Sequence, residues 1–223
     1  MKTTRPNGFT LWELLMTLLV AGILLGIGVP NLMAFQRNGL IVAAANTLVT
    51  DVLMARSEAV KRQVPVTLCA SPDPLAANPV CSPTGAGSNG GFIVWVDENG
   101  NFDANGTPQI DATDGNAAVD AGELLLQRSA PPGGTINVWA DRGYIMYDQN
   151  GVRRQATGLA FGSATRVLYC DERGNKNTHG TVSTARTVRI EPTGRGQVLT
   201  SVADVATALG IITGAGVPAV CAP

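Results

Sequence analysis

The distribution of apolar and polar positions divides the chain into three textures. Met1 to Gly8 is short and polar, with Lys2 and Arg5 as its charges. An uncharged stretch of 23 residues, Leu14 to Gln36, follows almost at once, and a single carboxylate, Glu13, stands at its start. As a helix those residues span roughly 34 Å at about 1.5 Å per residue, enough for one membrane crossing. Beyond Arg37 the pattern becomes amphipathic. Ile41, Ala45, Leu48, Val52, Ala55 and Ala59 recur at spacings of four and three, an apolar stripe one helix face wide. The spacing predicts one long helix from Phe9 to about Arg62, its stripe packed on a sheet. Asp51, Arg56, Glu58, Lys61 and Arg62 are then its solvated face. Pro30 removes a backbone donor and is expected to loosen or kink the helix. Gly22 and Gly26 share one face and permit close backbone approach.

From Val64 the texture changes to short β-like runs broken by Gly, Pro, Asn and Asp. The runs are Val64–Cys69, Phe92–Val96, Glu123–Arg128, Ile136–Ala140, Tyr144–Tyr147, Val167–Asp171, Thr187–Glu191 and Gly196–Ser201. Phe-Ile-Val-Trp-Val at 92–96 is continuous enough to be a buried strand. Such spacing predicts antiparallel sheet, and Val202–Leu209 a short helix. Two long connections, Ala70–Gly91 and Asn99–Gly122, are read as surface excursions. The fold class is therefore α+β: a long hydrophobic N-terminal helix packed on an antiparallel β-rich domain. The predicted organisation is a leader at 1–8, an apolar helix half at 9–36, an amphipathic half at 37–63 and a β-rich domain at 64–223.

Composition sharpens this picture. The 223 residues carry a net charge of −1, and the part after the helix is one ordinary domain with room for a core. Lys2 and Arg5 before the apolar run place the leader in the cytoplasm and the bulk of the chain outside. All four Cys, at 69, 81, 170 and 221, fall in that outer part. An even count in an oxidising compartment points to two disulfides, of which three pairings are possible. Proximity in sequence favours Cys69–Cys81 and Cys170–Cys221. A zinc site is disfavoured, because no two Cys are closely spaced and His179 is the only His. From Ala70 to Asp141 there are nine acidic residues and one basic; from Arg142 to Arg195 there are nine basic and four acidic. No nucleophile–base pair, phosphate loop or metal cluster is apparent, so the chain is read as non-enzymatic and without a cofactor.

Glu13 is the position that folding alone does not explain, since a carboxylate beside hydrocarbon costs several kcal/mol unless it is partnered. The segment Gly8-Phe9-Thr10-Leu11-Trp12-Glu13-Leu14-Leu15 resembles the processing site of type IV prepilins and type II secretion pseudopilins. That resemblance implies cleavage after Gly8 by a prepilin peptidase, methylation of the new amine on Phe9, and an assembly role for Glu13. In that role Glu13 of an incoming subunit meets the Phe9 amine of its neighbour.

The domain carries a second resemblance. Val66-Thr67-Leu68-Cys69 through Cys81, then Gly91-Phe92-Ile93-Val94-Trp95-Val96-Asp97-Glu98-Asn99-Gly100, is similar to the GspH/FimT family of minor pilins and pseudopilins. Tyr144-Ile145-Met146-Tyr147-Asp148-Gln149-Asn150-Gly151, Val167-Leu168-Tyr169-Cys170-Asp171 and Arg189-Ile190-Glu191-Pro192-Thr193-Gly194-Arg195 follow in the family's order. Thr107–Val119 and the residues after Thr200 look longer than usual and lie outside that resemblance. Together the two resemblances imply a subunit held in the inner membrane by one pass, its C-terminal domain periplasmic, later built into a pilus or pseudopilus at or near the tip. Its partners would be other pilins or pseudopilins through the N-terminal helix, the prepilin peptidase and an inner-membrane assembly platform. Leader and fold are shared by secretion and pilus machineries, so the choice between them stays open.

Two further candidates compete with ordinary surface. Some members of the family bind DNA during uptake through a Gly-Arg-x-Arg segment. Gly194-Arg195-Gly196-Gln197 lacks its second arginine, which leaves Arg153, Arg154, Arg189 and Arg195 as candidate contacts and a dispersed solvated surface as the plainer reading. Alternating oxygen side chains make Asp97, Asn101, Asp103 and Asn105 a weak calcium candidate. The twelfth position of a loop starting at Asn101 is Ala112, where a bidentate Glu belongs, and the same residues are ordinary turn formers. A membrane-anchored extracytoplasmic binding domain is the more distant class.

Overall fold

The structure is a computed structural model that describes residues 8–82, 90–97, 119, 122–156, 163–212 and 221. By contact the chain forms two compact units, residues 1–39 and 40–223. Helix α1, Leu11–Arg62, runs through both and continues through Pro30 without interruption. In the first unit the large apolar side chains of the helix are exposed, Leu18, Ile23 and Leu25 among them. This stretch is long and apolar enough to cross a membrane.

Among the described residues the second unit carries ten strands. They are β1 (Val66–Ser71), β2 (Gly91–Val96), β3 (Leu125–Ser129), β4 (Asn137–Ala140), β5 (Tyr144–Tyr147), β6 (Arg153–Arg154), β7 (Arg166–Cys170), β8 (Asn177–His179), β9 (Val182–Ile190) and β10 (Gly196–Ser201). Helix α2, Val202–Ile212, follows. One sheet has the order β3-β2-β1-β5-β6; the other has β10-β9-β7-β4, with β8 also paired to β9. All pairings are antiparallel.

The helix stripe is the shared floor of both sheets. Ile41, Ala45, Leu48, Val52, Ala55 and Ala59 are buried in one cluster with Val66, Leu68, Val94 and Tyr147 of the first sheet and Val138, Val167, Tyr169 and Val188 of the second. Burying Ile41, Leu48 and Val52 contributes about 1.5–3 kcal/mol each. Alternate residues of the strands face away from this cluster. On the far side of the first sheet, Cys69, Ile93, Trp95, Tyr144 and Met146 form a second cluster. On the far side of the second, α2 covers Leu168, Cys170 and Ala185 with Val205, Ala208, Leu209 and Ile212. Both faces of β1 and β2 are thus covered, which is why Phe92–Val96 reads as an unbroken apolar run.

Ser201 caps α2. Its Oγ accepts from the Asp204 amide at 3.0 Å and donates to Asp204 Oδ2 at 2.6 Å, a reciprocal cap at the helix start.

Several expectations need correction. Asp51 is not on the solvated face of α1: it is 4 % exposed, and its Oδ2 accepts a hydrogen bond from Ser129 Oγ on β3 at 2.5 Å. β8, which carries His179, is a strand where no apolar run was expected. β6 is a further strand where none was expected. β9 begins at Val182, five residues before the apolar pattern does, because its first half is mostly polar and only Ala185 joins an apolar cluster, while Ser183 and Thr184 hold it by hydrogen bonds. Ser183 Oγ donates to Asn175 Oδ1 at 2.6 Å, and Thr184 Oγ1 accepts from the Lys176 amide at 3.1 Å.

Candidate functional site

The candidate assembly residue sits in the first turn of α1. Thr10 is the residue before the helix and Glu13 the third within it. The Glu13 amide donates to Thr10 Oγ1 at 3.2 Å, while the Thr10 amide reaches Glu13 Oε2 at 3.4 Å and the Thr10 hydroxyl reaches the same oxygen at 3.3 Å. This is a capping box, and it satisfies donors that a helix start leaves open. The Thr-x-x-Glu spacing carries this role in the sequence and was available as a signal. Glu13 thus has a local structural duty that an isolated apolar helix does explain. Gly8 and Phe9 precede it, with Phe9 exposed.

The four cysteines are joined as Cys69–Cys81 and Cys170–Cys221. The first lies at the edge of the cluster on the outer face of the first sheet. The second is buried under α2, with Cys221 1 % exposed.

The candidate DNA contacts differ in what they bond. Arg153 is half-buried and donates through Nη1 to the carbonyls of Ala164, at 2.8 Å, and Ile190, at 3.3 Å. It therefore ties β6 of one sheet to β9 of the other. Arg189 forms an ion pair with Glu191 and donates to Gln197 Oε1 at 3.2 Å. Arg154 donates to the Gln155 carbonyl at 3.4 Å. Arg195 is exposed, and its carbonyl accepts from the Glu191 amide at 2.9 Å.

Of the calcium candidates, Asp97 is fully buried and accepts from Thr67 Oγ1 at 2.6 Å, which is an internal duty. Asn101, Asp103 and Asn105 lie outside the described residues. No group of three or more His, Cys, Asp or Glu that could hold a metal occurs among the described residues.

Two segments, Tyr144–Gly151 and Arg189–Arg195, meet as a structural joint. Tyr147 donates to the Gly194 carbonyl at 3.0 Å, linking β5 to the turn between β9 and β10. Asp148 Oδ1 accepts from the amides of Asn150 at 2.9 Å and Val152 at 3.0 Å, closing the Asp148–Gly151 turn. Burial among apolar groups pushes the Tyr147 phenol well above its ordinary range.

Asp51 is the charged group placed at greatest cost. Burial raises its carboxyl above the ordinary value, and the Ser129 hydrogen bond only partly counters this. The folded state therefore holds the Asp51 proton more tightly than the unfolded chain. The stability linked to that proton is present below about pH 4 and is lost as pH rises through the raised folded value. Asp51→Asn keeps an acceptor for Ser129 and removes the charge. We expect this variant to lack the wild-type fall in that window and to match or exceed wild type at pH 7. Thermal melts across pH 3–8 test this; Asn unfolding earlier than Asp at neutral pH would show that the carboxylate gains more from its contacts than burial costs it.

Comparison with known proteins adds a family to this geometry. A comparison with curated protein sequences finds no match. Among solved structures, the chain is similar to the type IV minor pilin FimU of Pseudomonas aeruginosa strain PAO1 in two crystal forms. One has a TM-score of 0.42 at 14 % identity, covering 74 % of this chain and 92 % of that one. The other has a TM-score of 0.37 at 15 % identity, covering 70 % and 90 %. The sequence also matches the family described as Type II transport protein GspH over residues 44–194, from within the α1 stripe to the Gly194 turn. That match spans more than half of the chain: the protein belongs to the GspH family, and it is a minor pilin or pseudopilin.

Proposed function

We propose that the chain is a non-enzymatic structural subunit at or near the tip of a type II secretion pseudopilus or type IV pilus. A prepilin peptidase cuts after Gly8, and Phe9 becomes the methylated N-terminus. Residues 9–36 hold the subunit in the inner membrane, with the β-rich unit in the periplasm, until an assembly platform passes it into the filament. The observation that carries this reading is the exposed, uncharged first half of α1 with Glu13 as its one carboxylate, in a chain of this family. Opposite charges attract strongly where water is scarce, and pairing with a neighbour's Phe9 amine offsets the cost of bringing Glu13 into hydrocarbon.

The capping box gives the test its resolution. Gln at position 13 retains a cap to Thr10 but carries no charge; Ala retains neither. Glu13→Gln and Glu13→Ala are both expected to be cut, with an intact mass starting at methylated Phe9. Each should enter filaments about tenfold less than wild type or worse, the effect of losing roughly 1.4 kcal/mol of pairing. Normal incorporation of the Gln variant would reduce Glu13 to a helix cap, and an intact Met1 in both variants and wild type would remove the processing step.

DNA capture, the alternative function, draws less support. Arg153 is engaged with backbone carbonyls and Arg189 is paired with Glu191 at the surface, and non-specific binding relies on several clustered cations.

A further inference from the structure

A slot of about 220 Å³ opens beside the Asp51–Ser129 hydrogen bond. Its walls are apolar, formed by Ala43, Ala44 and Leu48 of α1, Phe92 of β2, and Pro131. Four side chains bring oxygen to this lining: Thr47, whose hydroxyl donates to the Ala43 carbonyl of its own helix at 3.0 Å, and Asp51, Ser129 and Tyr169. Asp51 accepts from Ser129 through one carboxylate oxygen and forms no ion pair with a described Lys, Arg or His. Tyr169 is 2 % exposed, and its hydroxyl forms no hydrogen bond with a described residue. A carboxylate without a cation and a hydroxyl with no described partner thus line the slot with hydrogen-bonding capacity that no described residue uses.

We propose that this slot binds an aliphatic ammonium group, with its nitrogen among the Asp51, Tyr169 and Ser129 oxygens and its methylenes against Leu48, Phe92 and Pro131. An ammonium offers three donors and no acceptor, which matches three oxygens around an anionic centre. Calcium takes six to eight oxygens, more than this lining supplies. A guanidinium is a rigid planar fork with five donors and would leave some unpaired against apolar walls. The ammonium has two sources, a free alkylamine or a lysine side chain on another protein surface. Both present the same nitrogen on the same kind of stem.

The test uses the full-length chain in detergent micelles, with the methyl groups of Ala43 and Ala44 as NMR reporters. The probes are n-butylammonium chloride, the neutral isostere n-butanol, and Nα-acetyl-lysine methylamide. Butylammonium should shift both methyl signals saturably, with a Kd of about 1 mM. Butanol should shift them little. Asp51→Asn should weaken butylammonium binding about tenfold or more, and Tyr169→Phe by a smaller factor, consistent with loss of a charged and a neutral hydrogen-bond partner. Binding of both amines assigns the slot to a lysine on a partner surface; binding of butylammonium alone assigns it to a free amine. Equal shifts with butanol, unchanged affinity in Asp51→Asn, or no saturable shift with either amine would overturn the proposal and leave the slot to water. Asp51→Asn retains the Ser129 acceptor, so its fold can be verified before the titration by a cooperative melt at pH 7 no lower than that of wild type.

Discussion

Gly194→Val is expected to destabilise the β-rich unit by about 3 kcal/mol or more, lowering its melting temperature by roughly 10 °C. Gly194 has φ +83°, a conformation a branched side chain adopts only under strain. The space around it is also occupied. A Cβ there would lie 2.6 Å from Tyr147 Cε1 and 2.9 Å from the Gly151 carbonyl oxygen. The Tyr147 ring cannot simply move aside, because it is fully buried and its hydroxyl is bonded to the Gly194 carbonyl. Gly180 is the control: its φ is +61°, and a Cβ there would meet nothing within 4 Å. Gly180→Val should carry the backbone strain without the collision and lose clearly less. Equal melting temperatures for the two variants would show that the joint between Tyr147 and the turn is slack.

Cys221→Ser is expected to lose more stability than Cys81→Ser. The two bridges close separations of 51 and 12 residues. In the chain-entropy model their constraint on the unfolded chain is worth about 4 and about 3 kcal/mol respectively. Location widens the gap. Cys221 is buried against Cys170, Leu168 and the apolar face of α2, so a serine there adds a buried hydroxyl to an apolar cluster. Cys81 is only partly buried at the margin of its cluster. Melts of both variants and wild type, run without reductant, measure the difference. A larger loss for Cys81→Ser would mean that the Cys69 loop holds the first sheet together more than α2 holds the second.

The elements that sequence reveals here are those whose burial follows a simple period. The stripe from Ile41 to Ala59 is visible because a helix facing a sheet repeats its apolar residues at three and four, and all six of its members are buried. Tyr144–Tyr147 and Gly196–Ser201 are visible because apolar runs end at Asp, Gly or Pro punctuation. β6 and β8 are hidden because Arg153-Arg154 and Asn177-Thr178-His179 carry no apolar signal; hydrogen bonds to a neighbouring strand define them. Asp51 reads as solvent-facing because its partner, Ser129, is 78 residues away and only the fold brings the two together. The reverse holds for Glu13. Its partner, Thr10, is three residues away, so the capping box is legible in the local Thr-x-x-Glu spacing. Arg153 counts in a tally of positive charge, yet its guanidinium is engaged with two backbone carbonyls, which no charge tally registers.

Strand β4 has a consequence for how the chain can be divided. It lies between β3 and β5 in sequence, both of which belong to the first sheet, yet it pairs with β7 in the second. No single cut therefore yields one fragment with all of the first sheet and another with all of the second. A fragment ending at Arg154 would hold every strand of the first sheet and would also carry β4 with its hydrogen-bonding edge open, a site for pairing with other chains. A fragment starting at Arg166 would lack β4, one of the two strands that border β7, and would keep only β9 on the other side. The same interleaving delays completion during synthesis: β4 must wait until residues 166–170 have been made before it has anything to pair with. Evolution or engineering that lengthens loops can act at many points on this molecule. Exchange of one sheet for that of a relative cannot be made by joining two contiguous pieces.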